Sequence, residues 1–102
     1  MRDLPWERDY TMTLNIYPTV TDEGYDIKDV IGVSIVENNV ELLKSRTNGL
    51  ILDALSSRKD FEGKCYVEMN IDVGDDFYDH DECWCYVSVN TKEILFREDS
   101  YV

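Results

Sequence analysis

The stretch Cys65-Tyr-Val-Glu-Met-Asn-Ile-Asp-Val73 alternates apolar and polar residues without a break. Successive side chains of a strand point to opposite faces of a sheet. Cys65, Val67, Met69, Ile71 and Val73 therefore share one face, and Tyr66, Glu68, Asn70 and Asp72 the other. This is the pattern of a strand buried on one side only, and Gly63 opens it.

Towards the N-terminus, Tyr10 to Tyr17 repeats the pattern, with Tyr10, Met12, Leu14 and Ile16 on one face and Thr11, Thr13, Asn15 and Tyr17 on the other. Pro18 ends that strand, because proline cannot donate to a ladder. Thr19 to Asp29 reads as a polar, acidic loop around Gly24. Val30 to Val36 is a second strand with Ile31, Val33 and Ile35 inward; Gly32 marks a bulge or a site of close packing. Asn38 or Asn39 caps a helix running to about Ser57, in which Val40, Leu43, Thr47, Leu50, Ile51, Ala54 and Leu55 recur at helical spacing. Asn48-Gly49 is also a hairpin signal, so a hairpin or a helix broken there is the competing reading.

Towards the C-terminus, Cys83 to Asn90 is a strand with Cys85, Val87 and Val89 inward and Trp84, Tyr86, Ser88 and Asn90 outward. Glu93 to Phe96 forms a short fifth strand or extends the fourth. The order β-β-α-β-β predicts an α+β domain: an antiparallel sheet of four to five strands with one helix packed on its apolar face. At 102 residues, 43% of them hydrophobic, the chain supports one core. Residues 1–9 read as an N-terminal arm and 10–102 as a single acidic domain.

Charge is the second strong signal. The net charge is −12, and no Lys or Arg occurs from Cys65 to Thr91. That interval holds Glu68, Asp72, Asp75, Asp76, Asp79, Asp81 and Glu82, most of them in a segment expected to form a loop from Gly74 to Glu82. Direct binding to nucleic-acid phosphates is disfavoured, because it needs clustered Lys and Arg. Anionic membranes are disfavoured for the same reason. The partner this composition suits is a basic protein surface, steered by charge. Tyr66, Trp84 and Tyr86 on the outward face are the residue types that anchor interfaces. They are equally the types that stabilise cross-strand pairs or seat the arm, and the sequence leaves both readings open.

The chemistry of catalysis is poorly represented, and the expectation is a protein that is not an enzyme. There is one His, no G-x-S-x-G elbow and no glycine-rich phosphate loop. Carboxylates around His80 and Cys83 would disfavour a thiolate. No cofactor or metal is expected. The acidic loop has hard oxygen donors but not the EF-hand spacing. A zinc set of His80, Cys83, Cys85 and Cys65 is argued against by register. A hairpin turning over residues 74–82 puts Cys83 opposite about residue 73 and leaves Cys65 roughly 26 Å away at ~3.3 Å per residue. An odd number of cysteines and the absence of an apolar N-terminal core point to a cytoplasmic chain with reduced thiols.

In size, charge and texture the chain resembles two groups of small acidic inhibitors: phage-encoded DNA-mimic and anti-CRISPR proteins, and bacterial immunity proteins that neutralise nuclease toxins. The resemblance is compositional and rests on no shared signature. It implies an inhibitor of a basic nucleic-acid-binding protein or nuclease, with Glu68, Asp72, Asp75, Asp76, Asp79, Asp81 and Glu82 supplying charge and Tyr66, Trp84 and Tyr86 supplying packing. A structural or accessory homodimer and a metal-responsive module are the alternatives from other classes.

Overall fold

The computed structural model describes residues 9–72 and 78–97. Residues 1–8, most of the expected arm, lie outside them, as do Val73, Asp75 and Asp76. β1 (Tyr10–Tyr17) is followed by a minimal hairpin of β2 (Val20–Thr21) and β3 (Gly24–Tyr25), then β4 (Ile31–Glu37), α1 (Val40–Ser56), β5 (Glu62–Asp72), β6 (Tyr78–Ser88) and β7 (Glu93–Arg97). The large sheet has the order β4-β1-β5-β6-β7, with each neighbouring pair antiparallel. The fold is α+β, as the sequence pattern predicts.

β1 lies between β4 and β5 and is antiparallel to both, so β4 and β5 run in the same direction. Parallel strands cannot be joined by a tight turn, and α1 makes this crossover on the apolar face of the sheet. Asn39 caps the helix: its side-chain oxygen accepts from the backbone N–H of Glu41 at 2.7 Å and of Leu42 at 3.2 Å. The helix passes unbroken through Gly49. That residue is exposed, and a Cβ there would meet nothing within 4 Å. The cost of a helical glycine is therefore borne without a packing reason.

The core lies between α1 and the inward side chains of the three central strands. Leu43, Ile51 and Leu55 of the helix are fully buried among Met12, Leu14, Ile16, Cys65, Val67, Met69, Ile71, Cys85 and Val87. Each fully buried aliphatic side chain contributes about 1.5–3 kcal/mol. Thr47 is tolerated at the helix–sheet contact because its hydroxyl bonds back to the Leu43 carbonyl at 3.3 Å and touches the sulfurs of Met12 and Met69, each at 3.8 Å.

Three local expectations differ from the structure. The 19–29 loop contains the β2–β3 hairpin, with Gly24 at φ 141°, a region open to glycine. Gly32 sits in an unbroken ladder opposite Asn15, with neither a bulge nor a close contact. The largest difference is in the acidic segment. β6 begins at Tyr78, not Cys83, and pairs with β5 from Asp72↔Tyr78 to Glu62↔Ser88. Residues 78–82 are therefore strand and not loop. Ladder hydrogen bonds are made by the backbone, so an exposed strand position accepts an acid readily, and a charge-rich composition alone does not exclude a strand.

This register also corrects the thiol geometry. Cys65 is directly opposite Cys85, their sulfurs 3.8 Å apart in the core, and Cys83 lies opposite Val67. The separation of about 26 Å between Cys65 and Cys83 inferred from ~3.3 Å per residue does not hold, because it assumed a turn that continues to Glu82, whereas β6 already begins at Tyr78. No disulfide joins Cys65, Cys83 or Cys85.

A candidate interaction face on the outer side of the sheet

The face of the sheet opposite α1 is built from transverse rows, each one residue per strand. Tyr17, Tyr66 and Trp84 form one row across β1, β5 and β6; Asn15, Glu68 and Glu82 form the next; Thr13, Asn70 and His80 the one after. Asp72 follows opposite Thr11, and Lys64, Tyr86 and Leu95 form a row at the other end. The period of two puts these residues on one side; antiparallel pairing decides which of them meet.

The aromatic row is capped from above. Tyr25, delivered by the β2–β3 hairpin, stacks on Tyr66 with ring centroids 4.3 Å apart and planes 10° from parallel. It also lies 4.6 Å from Tyr17 and 6.0 Å, edge-on, from Trp84. Tyr66 and Trp84 meet at 4.9 Å, and the Lys64 ammonium lies 4.6 Å over the Trp84 ring. Each aromatic pair is worth about 0.5–1.5 kcal/mol beyond burial. All four rings are half-buried by one another. Tyr66 and Trp84 therefore serve the sheet first, and Tyr86, 41% exposed, is the more available ring for a partner. Leu95 beside it is 64% exposed.

The polar rows are tied to the aromatic one. The Tyr66 hydroxyl donates to Glu82 Oε1 at 2.5 Å, and Tyr17 donates to Glu68 Oε1 at 3.5 Å. Asn15 Nδ2 donates to the same Glu68 oxygen at 3.2 Å. His80 Nε2 lies 2.7 Å from Glu82 Oε2, and its Nδ1 contacts Asn70 Oδ1. These contacts shift the titrations. The Tyr66 phenol is pushed up by burial and then by Glu82. Glu82 is held below the usual carboxylate value by the Tyr66 hydroxyl and by His80, and His80 is raised by Glu82. Burial and the nearby Glu68 carboxylate likewise raise Tyr17.

Of the residues expected to contact a partner, Glu68, Asp72, Glu82, Tyr66, Trp84 and Tyr86 share this face. Asp81 does not: it pairs with Met69 and takes an alternate position of β6, on the helix side. Asp81 is exposed there. Asp79 pairs with Ile71, and its side chain lies outside what is described. Asp75 and Asp76 lie outside the described residues. Tyr25, Asn15 and Asn70 belong to the site but were not singled out from sequence. Nothing local marks Tyr25, since it reaches Tyr66 across 41 positions of chain; Asn15 and Asn70 become legible only once the register is known.

Cys83 and Cys85 offer no nucleophile. The Cys83 thiol is pushed far up by its contact with Cys85 and by burial, and Cys85 is raised to about 12, first through its hydrogen bond with Cys65. A low pKa is what activates a thiol, so both sulfurs are inert at neutral pH. Among the described residues, the side chains that could hold a metal ion together are Glu68, His80 and Glu82, whose ligand atoms all lie within 4.8 Å of one another.

No helix among the described residues is long and apolar enough to cross a membrane. Searches of curated proteins and of solved structures return no match. The chain belongs to the family described as Domain of unknown function (DUF8824), which it matches over residues 7–101.

Proposed function

We propose that this DUF8824 domain is a protein-binding inhibitor that offers the outer face of β5 and β6 to a basic surface, that of a nucleic-acid-binding protein or nuclease. The observation that carries this reading is the placement of Glu68, Asp72 and Glu82 on one exposed face of a hairpin that has no Lys or Arg from Cys65 to Thr91. Carboxylates receive Arg in a bidentate fork. Glu68 and Glu82 are already oriented by Asn15, Tyr17 and Tyr66, so little side-chain entropy remains to be lost on binding. Tyr86 and Leu95 at the end of the face supply the apolar contact that converts steering into residence time. Catalysis has no part in this reading, and the compartment in which it operates is the cytoplasm.

The test is capture of partners on the immobilised chain at low and at high salt, with a Glu68→Lys, Glu82→Lys variant alongside. A basic nucleic-acid-binding protein retained at low salt, released at high salt, lost by the variant and displaced by DNA supports the reading. A partner that the variant retains, or that DNA does not displace, argues against an acidic face acting in place of phosphates. The exposed pair Tyr86 and Leu95 supports a second reading, a homodimer through this end of the sheet. Mass in solution, compared with that of Leu95→Asp, decides it.

A further inference from the structure

We propose that Glu68, His80 and Glu82 form a binding site for a zinc-class divalent cation. Glu68 and Glu82 are directly opposite one another on β5 and β6. Like charges at such positions destabilise a sheet, so their juxtaposition calls for a positive group between them. His80, one row along, brings Nε2 to 2.7 Å from Glu82 Oε2. The three ligand atoms already lie within 4.8 Å of one another. A tetrahedral zinc with bonds of about 2.0–2.2 Å needs its ligands about 3.3–3.5 Å apart. Reaching that spacing requires the His80–Glu82 contact to open slightly and Glu68 to draw inward. Two carboxylates and a neutral imidazole match a charge of +2, and solvent supplies the fourth position on this exposed face.

The surroundings have the form that orients metal ligands. A ligating imidazole uses its second nitrogen to bond an oxygen, which fixes its tautomer; His80 Nδ1 does so with Asn70 Oδ1. Each carboxylate is held through Oε1, Glu82 by Tyr66 and Glu68 by Asn15 and Tyr17. Glu82 thereby keeps Oε2 on the His80 side. The donor set selects among ions. Calcium wants six to eight oxygens and magnesium keeps most of its water, whereas an imidazole favours zinc and its transition-metal neighbours. The thiols belong to the other side of the sheet.

The experiment uses the full chain, stripped with chelator and titrated with Zn²⁺ by calorimetry and with Co²⁺ by visible absorption. Saturable binding of one ion per chain is expected, with Co²⁺ d–d bands and no thiolate charge-transfer band. His80→Ala and Glu68→Gln should each weaken binding at least tenfold, and Asn70→Ala about tenfold, the range for groups that orient a ligand. Asp81→Asn, an exposed acid on the other side of β6, should leave it unchanged. Circular dichroism confirms that each variant is folded. Binding that never saturates, that weakens as much in Asp81→Asn as in Glu68→Gln, that survives His80→Ala, or that shows a thiolate band overturns the proposal. The readout is the ion alone, so it stands or falls independently of any protein partner.

Discussion

The two faces of the β5–β6 hairpin share one backbone and differ in everything else. On the helix side, Cys65, Val67, Met69, Ile71, Cys85 and Val87 are buried. On the outer side, Tyr66, Asn70, His80, Glu82 and Trp84 are joined by an edge-on ring contact and by hydrogen bonds. The first face is held by the exclusion of water, which is non-directional and tolerant of which apolar residue supplies it. The second is held by geometry, and each contact depends on its partner. Stability should therefore reside mainly in the first face and recognition in the second.

Four substitutions, and one titration repeated in a fifth, put that contrast to the test. The largest effect is expected from Leu55→Ala, which empties a fully buried position under the sheet. It should cost about 2–5 kcal/mol in urea unfolding. Tyr25→Ala removes the cap from the aromatic row and should cost about 1–3 kcal/mol, its two close ring pairs, with Tyr17 and Tyr66, at ~0.5–1.5 each. A loss as large as that of Leu55→Ala would make the outer face a second core. Asn39→Ala should cost about 1 kcal/mol, because two helix N–H groups lose their acceptor. Gly49→Ala should add up to about 1 kcal/mol, since the helix gains propensity and the new methyl meets nothing.

The smallest effect is the most diagnostic. In metal-free protein, the His80 midpoint in an NMR titration should lie above its ordinary 6.5, because the Glu82 carboxylate favours the charged ring. The sign follows from linkage. His80 binds its proton more tightly when folded, so its contribution is complete below the unfolded value and is lost as pH rises through the folded one. Glu82 is depressed, so its contribution is lost as pH falls through its folded value. The pair therefore supports the fold between those two limits. In Glu82→Gln the His80 midpoint should drop back towards 6.5; an unchanged midpoint would show that the two do not interact.

Much of the architecture was legible from alternation and helical spacing: β1 with its bounds, β4 within one residue, the helix with Asn39 as its cap, and the strand that became β5. The start of β6 was not. His80, Asp81 and Glu82 look like loop by composition, and only their pairing with Asn70, Met69 and Glu68 makes them strand. Glu68, Asp72, Tyr66, Trp84 and Tyr86 were identified as one surface from the period of two, whereas Glu82 was expected in the loop and joins them through the register. That Tyr66 and Trp84 are clasped by Tyr25, and that Asp81 turns to the other side, required the register.

What the sequence determined by itself is which residues share a face, because the two-residue period of a strand and the 3.6-residue period of a helix are properties of the local backbone. It also determined the net charge of −12 and the stretch from Cys65 to Thr91 that no base interrupts. Which residues meet is fixed only by the folded chain: Glu68 with Glu82, His80 with Asn70 and Cys65 with Cys85 across strands, and Tyr25 stacked on Tyr66. Register depends on where a turn closes and on pairings between distant segments. Sliding β6 by two residues would preserve every face and dissolve every one of its pairs with β5.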